Sequence, residues 1–134
     1  MKPAALTPAW VRWVALLGLC AAYIQGGVNK ALDFSAAVAE LGHFGMPASA
    51  PLAAAVIALE LGASLLILTG FLRWLGALGL AGFTLFATFI ANNYWDMAPP
   101  ERFMAANGFY EHLGLVGGFI LVAWHDLRTR NQSS

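Results

Sequence analysis

The chain of 134 residues balances seven basic against seven acidic side chains, with 60% hydrophobic and only 10% charged residues. A soluble domain carries about 25% charged residues, and a body this small cannot hide so much apolar surface, which excludes an ordinary soluble domain and a disordered chain. The neutral balance leaves no basic field for nucleic acid, and the single Cys20 excludes a disulfide framework and a cysteine-rich metal site.

An integral membrane protein remains, with a mean hydropathy of +0.69. A hydrocarbon core roughly 30 Å thick needs about 20 mostly apolar residues per spanning helix. The first such stretch runs over about 10–32. It begins with Lys2 and Arg12 in the manner of a signal peptide. It continues through Gln25, Asn29 and Lys30 without a small-residue cleavage site, and is expected to be a retained span. In the following loop Phe34, Ala37, Val38, Leu41 and Phe44 recur at helical spacing, and Gly42 and Met46-Pro47 supply stop signals. This predicts a short amphipathic helix over about 34–44, lying in the membrane interface.

The second span, about 50–69, carries Glu60 at its middle. A tight Gly70-Phe71-Leu72-Arg73 turn makes it an antiparallel neighbour of the third span, about 74–94. Pro99-Pro100 predicts an irregular loop before the fourth span, about 105–124, and the tail after Arg130 is expected to fray. The predicted fold is all-α: one integral membrane domain, a polytopic four-helix bundle with an interfacial helix between spans one and two. Lys2, Arg12, Arg73, Arg128 and Arg130 fall on one side of such a bundle, Lys30 and Arg102 on the other. Positive residues favour the cytoplasmic side, so both termini are expected in the cytoplasm of a multi-pass plasma-membrane protein.

Helices in lipid approach through small residues and polar bonds rather than through hydrophobic drive. The small-residue rows are Gly18, Ala22 and Gly26; Ala54, Ala58 and Gly62; Gly76, Gly79 and Gly82; and Gly114 with Gly118. Trp10, Trp13, Trp74, Trp95 and Trp124 lie near span ends, as in an aromatic belt. An ionised carboxylate at the helix centre is costly, so Glu60 is expected to face inward and find a partner. It shares a face with Val56, Ala63, Ser64 and Ile67, while Tyr23, Gly26, Gly27 and Lys30 make a small and polar face on span one. Asn29, Lys30, Asn93, Glu111 and His112 reach the same half of the membrane, and with Glu60 form the candidate polar pocket. Each has a plainer reading: a snorkelling Lys30, a packing Glu60, a satisfied buried His112, an interfacial helix end at Asn92 to Tyr94. His43, His112 and His125 lie at different levels, so no bis-histidine haem is expected; His112 with Glu111 and Glu60 could bind a metal, but their geometry is unconstrained and no metal is assigned.

The chain resembles the DoxX/DoxD-like family of small bacterial and archaeal membrane proteins. The resemblance rests on Gly27-Val28-Asn29-Lys30-Ala31-Leu32, Gly45-Met46-Pro47, Glu60-Leu61-Gly62, the Gly70 to Arg73 turn and the polar opening of span four from Asn107 to His112. It implies a four-helix membrane bundle and, for some members, association with quinone-linked oxidation. The expected role is an accessory subunit of a quinone-linked redox system rather than a self-sufficient enzyme, with no catalytic residue assigned. No intrinsic cofactor is expected; a bound quinone would sit in the polar pocket. Expected partners are the lipid bilayer and either an oxidoreductase subunit or a second copy of the chain. The alternatives are a non-catalytic scaffold or assembly factor and, third, a small-solute transporter, for which four helices without an internal repeat are few.

Overall fold

The computed structural model describes residues 8–133; Lys2, counted in the charge balance above, lies outside them. The elements are helices α1 (Ala9–Leu32), α2 (Phe34–His43), α3 (Ala50–Thr69), α4 (Arg73–Ala91) and α5 (Glu101–Ser133), with one 3-10 turn at Tyr94–Asp96 between α4 and α5. The described residues contain no strand. Among the described residues three segments are long and apolar enough to cross a membrane: Ala9–Leu32, Ala50–Thr69 and Arg73–Asp96, the last being α4 with its 3-10 turn.

Local chemistry explains the element ends. Asp33 leaves helical geometry, and its carboxylate accepts from the amide of Ala36 at 3.3 Å, so the residue that stops α1 also caps α2. Ser49 caps α3 in the same way through the amide of Leu52 at 3.3 Å. Gly70 ends α3 with φ +85°, the left-handed conformation that glycine adopts without a Cβ penalty. The turn after it is held by side chains that serve exposed helix-end groups. Arg73 Nε donates to the Ile67 carbonyl at 2.7 Å, Arg130 to the Gly70 carbonyl at 2.9 Å, and the Trp74 amide to the Asp126 carboxylate at 3.0 Å. These bonds also correct the expected fraying after Arg130. Arg130 Nε bridges back to Asp126 at 2.9 Å, and α5 stays helical to Ser133.

In the bundle α3 lies between α1 and α4, α4 packs along α5, and α1 meets α5 only narrowly. The main core sits towards the Arg73 end. There Leu16, Cys20 and Tyr23 pack with Ala63, Ile67, Ala77, Leu80, Ala81, Phe119 and Ala123. Helix α2 stands apart, laying Ala37 and Leu41 against Ala53 of α3.

The small-residue rows behave unevenly. A Cβ on Gly76 would lie 2.6 Å from the Ala63 carbonyl oxygen, and one on Gly27 would lie 2.7 Å from Leu61 Cδ2, so both glycines set a helix crossing. Around Gly18, Gly62, Gly82 and Gly114 there is open space, and Ala54, Ala58 and Gly62 are all exposed. The row on α3 therefore faces outward, because the inward face is taken by Ala53, Glu60, Ala63, Ser64 and Ile67.

Gly76→Ala forces backbone against backbone and is expected to destabilise by about 1–3 kcal/mol. Gly62→Ala, into open space, should change stability by less than about 0.5 kcal/mol. Unfolding midpoints of the two variants in mild detergent separate a packed crossing from an unoccupied face.

Candidate polar site

The site begins at the crossing of α1 and α3. Glu60 is 4% exposed, and its Oε1 accepts from Lys30 Nζ at 2.8 Å. The Lys30 side chain is 24% exposed, so it reaches in from the rim while its partner lies within. Gly26 makes room for the pair: a Cβ there would stand 3.0 Å from Glu60 Oε2 and 3.5 Å from Lys30 Nζ. The adjacent Gly27 admits Leu61, so two successive glycines seat the Glu60-Leu61 step of α3 against α1. Charges removed from water need close pairing to offset desolvation, and the glycine seat permits that approach.

Two further polar links tie α4 into the bundle. The Tyr23 hydroxyl and Thr84 Oγ1 hydrogen-bond across the interior from α1. On α5, His112 Nδ1 lies 3.0 Å from Asn92 Nδ2 and 3.1 Å from Thr88 Oγ1, and Asn92 Nδ2 also donates to Thr88 Oγ1 at 3.2 Å. An amide nitrogen only donates. With the Asn92 amide in this orientation His112 Nδ1 is the acceptor, and a neutral ring then carries its proton on Nε2.

These groups border a cavity of about 530 Å³ that all five helices line. Lys30, Glu60, Tyr23, Thr84 and His112 are on its wall, with Glu40 at the α2 side. The rest of the lining is mainly apolar, including Leu41, Phe44 and Met46 around α2, Val56 and Leu59 of α3, and Phe83, Phe86 and Ile90 of α4. The volume falls within the range of about 300–1,000 Å³ typical of small-molecule pockets, and so does the pattern of an apolar wall with a few polar groups. Among the described residues no three His, Cys, Asp or Glu side chains are grouped to hold a metal ion.

Of the six residues picked from the sequence, Lys30, Glu60 and His112 line this one cavity, while Asn29, Asn93 and Glu111 do not. Asn29 and Glu111 are exposed. Each is one residue from an inward-facing neighbour, and a helical step of about 100° turns it away. Asn93 is half-buried just beyond the α4 C-terminus, and Asn92 takes the partner role with His112. Sequence reasoning passed over Thr84 and Thr88. With Asn92 they recur every four residues along α4, a polar stripe that the spacing alone could have revealed.

Lys30→Met leaves the Glu60 carboxylate without its cation, and Glu60→Gln leaves the ammonium without its anion. Breaking a buried pair in this way costs roughly 3–5 kcal/mol, while replacing both partners costs much less. The Lys30→Met/Glu60→Gln double variant is expected to be more stable than the two single losses added together. A double-mutant cycle on unfolding free energies checks this; additive losses would mean that the pair is not energetically coupled.

A family model described as DoxX matches residues 10–93. Among curated proteins, the inner membrane protein YphA of Escherichia coli (strain K12) is 29% identical over 112 residues, covering 82% of this chain and 79% of that protein. No solved structure matches.

Proposed function

The chain belongs to the DoxX family, and from that membership and the cavity we propose that it is an accessory subunit of a quinone-linked redox system in a bacterial inner membrane. The observation that carries this reading is the pairing of an apolar slot with polar groups on facing helices. The Lys30–Glu60 pair comes from α1 and α3, and His112 comes from α5. A quinone needs an apolar wall for its ring and tail and hydrogen-bond donors at its two carbonyls. Lys30 Nζ and the Nε2–H of His112 are such donors, and Glu60 and His112 are groups able to exchange protons. The sequence holds no second cysteine and no haem-ligand pair, so in this reading electrons come from an oxidoreductase partner.

The proposed topology makes the chain one membrane domain of four spans: α1, α3, α4 and the apolar stretch of α5 over about 105–124. Helix α2 lies in the interface on the outer side, and both termini are cytoplasmic. Arg12, Arg73, Arg128 and Arg130 gather at one end of the bundle in support of this orientation. In a Cys20→Ser background, Ser35→Cys should react with a membrane-impermeant maleimide in intact cells, and Gln132→Cys only after permeabilisation. The reverse labelling would invert the topology.

Protein purified from quinone-containing membranes in mild detergent should retain quinone, measured after solvent extraction. Added quinone should protect Glu60 from a carboxyl-reactive carbodiimide. Loss of a hydrogen bond costs about 1.5–3 kcal/mol where the donor is charged and about 0.5–1.5 kcal/mol where it is neutral, so the Lys30→Met/Glu60→Gln double variant should lower retained quinone by about tenfold or more and His112→Leu by about threefold or more. Recovery of a partner protein with no quinone, and no protection of Glu60, would replace this reading with that of a scaffold.

A further inference from the structure

A second pocket, of about 340 Å³, opens at the other end of the bundle. Its polar lining is Arg12 from α1, Arg73 from the start of α4, and His125, Asp126 and Thr129 from α5. Among the described residues Asp126 is the only carboxylate on its wall, and it is already engaged by Arg130 Nε at 2.9 Å and by the Trp74 amide at 3.0 Å. Arg73 spends Nε on the Ile67 carbonyl and makes no ion pair among the described residues, which leaves the rest of its guanidinium for another acceptor. Arg12 has neither a hydrogen-bond nor an ion-pair partner among the described residues, and residues 1–7 contain no Asp or Glu to supply one. Two guanidinium groups thus border one concave site in excess of its free carboxylates.

Below them the wall is apolar, formed by Ala15, Leu16, Leu121 and Val122. Around this end Trp10, Trp13 and Trp124 are exposed, and Arg128 lies over the Trp124 ring at 5.2 Å. Exposed tryptophans with arginines above an apolar band mark the headgroup level of a membrane. Guanidinium forks match phosphate oxygens geometrically, and basic pockets between spanning helices on the cytoplasmic side hold anionic headgroups. We propose that this pocket binds the phosphate group of an anionic phospholipid, with Arg12 and Arg73 on the phosphate oxygens and the glycerol end of the acyl chains on the Leu16–Leu121 wall. The site is distinct from the polar cavity, and the proposal does not depend on what that cavity holds.

The full chain in mild detergent, titrated with a short-chain phosphatidylglycerol, should show a saturable rise in its thermal unfolding midpoint. Phosphatidylcholine should produce none. Arg12→Gln removes no bond within the described fold and should weaken the phosphatidylglycerol effect about tenfold, the loss of one direct hydrogen bond to a charged group. Arg128→Gln, outside the pocket, should leave it unchanged. Arg73→Gln also frees the Ile67 carbonyl and could fail to fold, so Arg12→Gln is the deciding variant. Equal shifts with both lipids, or no change on Arg12→Gln, would overturn the site. A shift with inorganic phosphate and none with phosphatidylglycerol would overturn the lipid assignment.

Discussion

The rest of the structure depends on one constraint: a carboxylate in the middle of an apolar helix must be paired. Glu60 sits midway along α3, where a charge facing lipid costs about 2.5–3.5 kcal/mol or more. The 2.8 Å bond to Lys30 meets that need, but only because α1 presents two successive glycines at the crossing. Gly26 leaves space for the ion pair itself, and Gly27 lets Leu61 lie against the α1 backbone. The pair thereby sets the register and rotation of α1 on α3. With that rotation, Tyr23 is carried to Thr84 and Cys20 into the core.

The two ends of the bundle follow opposite rules. Towards Arg73 the core is packed with small, branched and aromatic side chains, and the turn between α3 and α4 is held by arginines donating to helix-end carbonyls. Towards Lys30 the helices separate around a cavity of about 530 Å³, with α2 against α3 at its side. Polar links bridge that hollow end: Tyr23 with Thr84, and His112 with Thr88 and Asn92. The described buried side-chain nitrogens and oxygens all have a hydrogen-bond partner, as a low-dielectric interior requires. The larger cavity thus lies at the Lys30 end, away from the packed core that keeps the scaffold rigid.

Hydrophobic length, capping residues and punctuation are local, and they were legible from the amino-acid order. The boundaries expected for the first two spans, about 10–32 and 50–69, lie within a residue of Ala9–Leu32 and Ala50–Thr69. The helix after Asp33 also forms over the expected stretch, as Phe34–His43. The inward face of α3 follows from the cost of exposing Glu60 and from the 3.6-residue period that puts Ala63, Ser64 and Ile67 beside it. The C-terminal end was less legible: α5 runs to Ser133 because Asp126 and Gly70, distant from each other in sequence, both hold Arg130.

By itself, then, the sequence determined that this is an all-helical chain with membrane-spanning segments, where its turns fall, and that Glu60 must find a partner. These are properties of single segments, set by apolar length, backbone caps and the cost of a lone charge. Tertiary structure decided which of two adjacent polar residues faces the interior: Lys30 and not Asn29, His112 and not Glu111. It also decided which glycines meet another helix, Gly27 and Gly76 rather than Gly62 and Gly82. Both choices depend on how each helix is rotated and where it crosses its neighbours. That rotation is fixed by contacts between residues far apart in the chain, and composition and periodicity carry no record of it.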